Sequence, residues 1–230
     1  MSKIYIIGVY FFYFFMNNKK LIAFDMYDTW VHMTKYPNPY KNFFSQLWLQ
    51  DSVIRELSFM LQTTDKNIED ILPKNIQSQK NISFLIDELV SNIYNQLSSL
   101  LLYDDFLSTI EILKQKWYKT AVVSNLSKPY NYPLIHLVPR NTFDYTILSY
   151  VVGIQKPDRK IFDYLQVVSW HTSDEIVMIG DSLKSDVQWA KNTGIEPIHI
   201  QRNQSLIKKD VDYIQISRLS ELLDIFSRVK

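Results

Sequence analysis

The sequence predicts an open α/β fold, a parallel sheet with helices on both faces, interrupted after its first strand by an all-helical insertion. Three observations lead there. Four short segments each deliver a polar group at or just after their carboxyl end: Leu21-Ile22-Ala23-Phe24 before Asp25, Ala121-Val122-Val123 before Ser124 and Asn125, Gly153-Ile154-Gln155 before Lys156-Pro157, and Ile176-Val177-Met178-Ile179 before Gly180-Asp181. Parallel strands of an open sheet present ligands in the crevice beyond their carboxyl ends. From residue 105 onward strand-like and helix-like patterns alternate, which gives a parallel sheet. Between the first segment and that alternation the hydrophobic period is helical throughout.

The first strand covers residues 21–24 and ends at a candidate nucleophile, Asp25. The period then changes. Phe43, Phe44, Leu47 and Trp48, then Ile54, Leu57, Met60 and Leu61, then Ile82, Leu85, Ile86, Leu89, Val90, Ile93 and Leu97 recur at i, i+3, i+4 spacing. Such stripes are the packing faces of amphipathic helices. Residues 33–103 are therefore expected as one helical insert, with polar stretches 63–70 and 75–81 as loops inside it. A helix over 105–116 leads into a strand at 120–124. Strands at 145–149, 175–179 and 196–200 follow, separated by helices over 158–168 and 186–193 and closed by a helix over 219–229. The chain thus divides into an apolar extension, residues 1–16, a core formed by 17–32 and 104–230, and the insert, 33–103.

Glycine is scarce, with four in the chain, so its placement is informative. Gly153 and Gly180 lie at the candidate crevice, where a positive φ or close backbone approach calls for glycine. Gly194 is placed to cap the helix before it. Residues 4–15 are almost wholly apolar, yet shorter than the roughly 20 residues of a bilayer-spanning helix, and no small-residue cleavage site follows them. Met16-Asn17-Asn18-Lys19-Lys20 reads as a polar start running into the first strand, so the folded protein is expected to begin at Met16; an interfacial anchor is the alternative.

A net charge of +1 over 230 residues provides no field that favours nucleic acid or an anionic membrane surface, and nothing in the composition specifies an oligomer. Zero cysteines exclude disulfides, thiolate catalysis and Cys-ligated zinc, and fit a reducing cytoplasm. His32, His136, His171 and His199 show no ligand spacing and are read as structural or surface residues. Asp181 and Asp186 form a carboxylate pair suited to a hard divalent cation. A phosphate dianion about 4 Å from the Asp25 carboxylate would meet repulsion on the order of 8 kcal/mol at an effective dielectric near 20. Attack there needs local positive charge, which Lys156 and a metal would supply.

Asp25-x-x-x-Thr29, Ser124 at a later strand end, Lys156-Pro157 and Gly180-Asp181-x-x-x-x-Asp186 occur in that order. The set resembles the haloacid dehalogenase superfamily, in the subfamily that carries a helical cap between its first and second motifs. The resemblance covers the chain from Lys20 to its end. It implies a Rossmann-like core, an aspartyl intermediate at Asp25 and Mg²⁺-dependent hydrolysis of a small phosphorylated substrate. Asp25 and Asp181 are then suited to hold Mg²⁺, and the resemblance adds the backbone carbonyl of Tyr27. Asp186 would orient those ligands from behind. Ser124, Asn125 and nearby amides would hold the phosphoryl oxygens beside Lys156, while Thr29 would buttress the first loop by hydrogen bonding.

One position departs from the pattern. Phosphatases that the sequence resembles have an aspartate two residues after the nucleophile, which protonates the leaving alcohol; this chain has Tyr27. General acid catalysis contributes about 10² to 10⁴-fold, so good leaving groups are expected to be favoured. Asp28 could replace the acid only with a different backbone course. Two alternatives remain: a catalytically weak protein that binds a phosphorylated ligand or a partner, and a 2-haloacid dehalogenase, since dehalogenases also have tyrosine there. Charge opposes the latter, because Asp181 and Asp186 without a cation would repel an anionic haloacid. Substrate choice would lie in the insert, whose stripes reveal packing alone.

Overall fold

The computed structural model describes residue 16 and residues 18–33, 37–202 and 212–227. The strands are Leu21–Phe24 (β1), Val31–His32 (β2), Leu101–Leu102 (β3), Lys119–Ser124 (β4), Tyr145–Leu148 (β5), Ile176–Gly180 (β6), Glu196–Ile200 (β7) and Ile214–Ile216 (β8). Six of them form a sheet in the order β5-β4-β1-β6-β7-β8, with every pairing parallel. β1 therefore lies between β4 and β6, and the strand that delivers Asp25 is flanked by the strands that deliver Ser124 and Asp181. This is the Rossmann-like α/β architecture expected.

Both faces of the sheet are covered, which is why its strands read as continuous apolar runs. Side chains alternate between the faces. Leu21, Ala23, Ala121, Val123, Ile176 and Met178 point to one side and pack with Ile161, Phe162 and Leu165 of the helix Arg159–Ser169. Ile22, Phe24, Val122, Val177 and Ile179 point to the other and pack with Phe106, Ile110 and Leu113 of the helix Phe106–Gln115 and with Leu222 and Phe226 of the helix Glu221–Ser227. That second core continues into the inserted helices through Phe43, Leu57, Leu85, Leu89 and Ile93. Trp30, fully buried, stacks on Phe106 with ring centroids 4.7 Å apart, and such a pair contributes about 0.5–1.5 kcal/mol beyond its buried area.

Between β2 and β3 the described residues are helical: Pro39–Gln46, Asp51–Thr63, Ile68–Ile71, Lys74–Gln77 and Ile82–Leu97. The first is capped by Asn38, whose side chain accepts from the Lys41 amide at 3.1 Å. Two short helical turns occupy stretches expected as loops. Ile68–Ile71 forms because Asp70 reaches back to the Asn67 amide at 3.1 Å and because Ile68 and Ile71 are buried. β2 and β3 pair antiparallel, Val31 with Leu102 and His32 with Leu101, so the two chain crossings to the inserted helices run side by side. The sequence showed no sign of this ribbon, since two residues carry no alternation. β8 was also unassigned, and residue 149, expected at a strand end, instead opens a helical turn, Ser149–Val152.

The expectation of an apolar extension with Met16 as the start lies, Met16 apart, outside the described residues. Met16 is buried and its carbonyl accepts from the Lys19 amide. Among the described residues no helix is long and apolar enough to cross a membrane.

Candidate active site

Asp25 follows directly on β1, and its amide donates to the Ile179 carbonyl of β6 at 2.8 Å, which fixes the start of the loop. Lys156 arrives from β5 by the turn Ser149–Val152, which ends on Gly153 in the left-handed conformation at φ 73°. Its ammonium donates to Asp25 Oδ1 and to Asp186 Oδ1, each at 2.7 Å. Carboxylate oxygens of Asp25, Asp181 and Asp186 lie within 4.8 Å of one another. Asp186 stands on a wide π-helical turn, Leu183–Gln188, and its other oxygen accepts from the Ser182 amide at 3.0 Å. Gly180 makes this packing possible, because a Cβ there would come within 2.3 Å of the Asp186 carboxyl. Of the two uses expected of glycine, Gly153 supplies the positive φ and Gly180 the close approach.

The electrostatics follow from burial and the charge count. Burial lowers the Lys156 pKa, but Asp186 and Asp25 outweigh it and hold the ammonium well above the usual lysine range. Burial pushes the Asp186 carboxyl up against the opposing pull of Lys156. Asp181 is pushed up to about 7, by burial first and then by the charges of Asp25, Asp186 and Asp28. Among the described residues no cationic side chain pairs with Asp181. Three carboxylates against one ammonium leave an excess of two negative charges on hard oxygen donors, a set that fits Mg²⁺.

A family model for haloacid dehalogenase-like hydrolases matches residues 22–200. The chain belongs to the haloacid dehalogenase-like hydrolases. It is similar to the glyceraldehyde 3-phosphate phosphatase of Pyrococcus furiosus, 24% identical over 93% of this chain and 95% of that protein. It is also similar to the protein of the same name from Methanopyrus kandleri, 26% identical over 76% of this chain and 79% of that one. Among solved structures, a HAD phosphatase from Thermococcus onnurineus superposes with a TM-score of 0.60 at 25% identity, covering 90% of this chain and 97% of that one.

Within this hydrolase the residues singled out in the sequence converge, with changes of role. Ser124 is buried at the end of β4. Asn125, expected on phosphoryl oxygens, turns its carboxamide to the Lys156 backbone instead, accepting from the Lys156 amide at 2.7 Å and donating to its carbonyl at 2.5 Å. Its place is behind the lysine, fixing the backbone from which the ammonium projects. Thr29 is buried and its hydroxyl has no partner among the described residues, so the hydrogen bonding seen to steady the loop does not come from that side chain. The Tyr27 hydroxyl donates to the Tyr130 carbonyl at 2.8 Å, and burial, reinforced by Tyr130, raises its pKa far above the usual tyrosine range. Asp28 adopts a left-handed φ of 56° at the rim of the site; partial desolvation of its carboxyl, and then the Asp25 charge, raise its pKa.

Two further residues support the site: His199, read from the sequence as a structural or surface residue, and Arg202, which the sequence did not single out. His199, buried, donates from Nε2 to the Asp181 carbonyl at 2.9 Å and so steadies Asp181 beside Asp25. Arg202, just beyond β7, donates twice to the Thr29 carbonyl, from Nε at 3.0 Å and Nη2 at 2.5 Å, and makes a bidentate pair with Asp105 at 2.9 and 3.0 Å. Its guanidinium also lies 4.0 Å from the centre of the Tyr103 ring. Thus Arg202, not the Thr29 hydroxyl, steadies the loop after Asp25. A lone arginine after a strand gives no sequence signal, because its partners lie 97 and 173 residues away. Arg202→Met leaves Asp105 buried without its cation and is expected to lower unfolding stability by about 3 kcal/mol, read as a fall in the urea midpoint at unchanged slope.

Proposed function

We propose that this hydrolase cleaves phosphate monoesters of small phosphorylated metabolites, with Asp25 as nucleophile and Mg²⁺ as cofactor. The observation that carries this reading is the set of carboxylates beside the nucleophile, Asp181 above all, whose charge Lys156 does not balance. A site of that charge is suited to a cation and a phosphate, and hostile to an uncompensated anionic haloacid. The phosphatase names of the relatives support the same reading. Structural likeness to a 2-haloacid dehalogenase from Pseudomonas syringae, TM-score 0.63 at 17% identity, extends to the fold alone.

In the proposed reaction an Asp25 carboxylate oxygen forms a bond to phosphorus as the bond to the ester oxygen breaks, which leaves an aspartyl phosphate and an alkoxide. Water then attacks that phosphorus, releasing inorganic phosphate and restoring the carboxylate. Lys156 offsets charge on Asp25 and on the transferred group, while Asn125 and Asp186 hold it in position. Ser124 and the amides after β4 are assigned to the phosphoryl oxygens. Mg²⁺, held by Asp25, Asp181 and the Tyr27 carbonyl, would supply electrostatic stabilisation of the phosphoryl oxygens. The alkoxide leaves without a proton from Tyr27, so esters with good leaving groups react best. The helices between β2 and β3 act as the cap that covers the crevice and selects the substrate. A reducing cytoplasm suits this chain without cysteine.

The test is turnover of p-nitrophenyl phosphate with and without Mg²⁺. Mg²⁺-dependent release of p-nitrophenol is expected. Mg²⁺-dependent binding of phosphate without turnover would instead favour the binding-protein reading, for which the missing acid at Tyr27 is the supporting observation.

The metal assignment has a second readout. A carboxylate of the unfolded chain ionises near pH 3.9, while Asp181 in the fold does so at about 7. The folded state therefore holds more protons between those values, and the metal-free protein loses stability as pH rises through that window. Because a bound cation requires the ionised carboxylate, Mg²⁺ is expected to raise Tm more at pH 8 than at pH 5. Equal shifts at both pH values would count against Asp181 as a ligand.

A further inference from the structure

We infer that Tyr27 is a positioning residue whose hydroxyl, through Tyr130 and Gln96, ties the nucleophile loop to the inserted helices, so that the seating of those helices and the geometry beside Asp25 form one coupled equilibrium. The catalytic consequence rests on the reading of the site as a phosphatase; the mechanical link does not.

The link is continuous. Tyr27 Oη donates to the Tyr130 carbonyl at 2.8 Å, and Tyr130 Oη donates to Gln96 Oε1 at 2.5 Å. Gln96 belongs to the last turn of the inserted helix Ile82–Leu97 and is buried. Tyr130 lies in the 3₁₀ turn Lys128–Asn131, which follows Ser124 and Asn125 out of the crevice. Its ring meets Tyr27 edge-on at 6.0 Å and lies 6.3 Å from Tyr40, which belongs to the inserted helix Pro39–Gln46. Tyr130 thus sits between the loop two residues beyond the nucleophile and two separate inserted helices.

Other contacts across the same boundary lack this reach. Lys128 pairs with Asp65 at 2.8 Å, but both side chains are about half exposed or more, and such pairs contribute little. Ser127 donates to Tyr40 Oη at a long 3.4 Å. The buried glutamine is different in kind, because a polar group taken out of water demands its partner in one geometry and so specifies the seating of the helix that carries it. The position that holds the leaving-group acid in the phosphatases this chain resembles holds a strut here. An aspartate is too short to reach from residue 27 to the Tyr130 carbonyl across the packed ring, so strut and acid are alternative uses of one position.

The test compares the native chain with Tyr27→Phe, which keeps the ring and removes the hydroxyl, with Gln96→Leu and with the double variant. Hydrogen exchange of amides in residues 128–131 and 82–97 is followed in the metal-free protein, alongside KM and kcat for p-nitrophenyl phosphate. Each single variant is expected to speed exchange in both segments and to raise KM about five- to tenfold with a smaller change in kcat, the usual size of a coupling between distant sites. The double variant should match a single one, because a broken strut cannot be broken twice. Exchange in 82–97 unaffected by Tyr27→Phe, or additive effects in the double variant, would overturn the inference. A native chain that turns over no ester but shows the coupled exchange would sink the phosphatase reading and leave the strut standing.

Discussion

Asp25→Asn is expected to remove turnover of p-nitrophenyl phosphate by at least about four orders of magnitude, since the remaining groups of a catalytic unit have little to act on once the nucleophile is gone. The variant is informative because it should not unfold the protein. Asparagine keeps the shape and still offers one oxygen to Lys156, which donates at 2.7 Å in the native site. It also removes one of the charges that push Asp181 up to about 7. The Asp181 pKa should therefore fall, and metal-free stability near neutral pH should hold or rise while activity disappears. Loss of activity accompanied by a lower urea midpoint would point to a structural role for Asp25 instead. Measurable turnover in the variant would end its assignment as nucleophile.

Lys156→Met should damage both activity and stability. The ammonium is 3% exposed and lies between Asp25 and Asp186, which are 14% and 1% exposed. Removing one partner of such a cluster leaves carboxylates buried without compensation, and about 3–5 kcal/mol of unfolding stability should be lost at neutral pH. Turnover should fall by at least about 10³-fold, because repulsion on the order of 8 kcal/mol between phosphate and Asp25 loses its protein-borne offset. The pH dependence distinguishes this cause from lost packing. In the variant the Asp186 carboxyl, deprived of Lys156, has a folded pKa raised further above its unfolded value, so stability falls as pH rises and returns on acidification. A urea midpoint that rises from pH 7.5 to pH 5 is expected, and Lys156→Met combined with Asp186→Asn should recover stability without activity. A midpoint indifferent to pH would assign the loss to the missing alkyl chain.

Much of this site was legible in the chain because strand ends are local events. An apolar run of four or five residues followed by a carboxylate or a hydroxyl announces both the strand and the group it delivers, and the parallel alternation after residue 105 brings those ends to one edge. Asp25, Ser124 and Asp181 were identified this way, as were β1, β4, β6 and β7, each to within a residue or so, whereas Lys156 stands beyond a helical turn rather than at a strand end. The helical insert was equally plain from its period. The ribbon of β2 and β3 was not, because two-residue strands have no pattern of their own and are held by pairing with a distant segment, Val31 with Leu102 and His32 with Leu101.

The sequence by itself determined five of the six strands of the sheet and the charged groups that gather at their carboxyl edge, since these depend on hydrophobic period and on local spacing. Only the tertiary structure decided what those groups touch. Asn125 faces the Lys156 backbone, Arg202 holds the Thr29 carbonyl in place of the Thr29 hydroxyl, and Tyr27 reaches Tyr130 where an acid was missed. A hydrogen bond forms only between atoms brought to about 3 Å, and which side chains come that close across 31, 173 or 103 residues of chain is fixed by the packing of whole elements against one another.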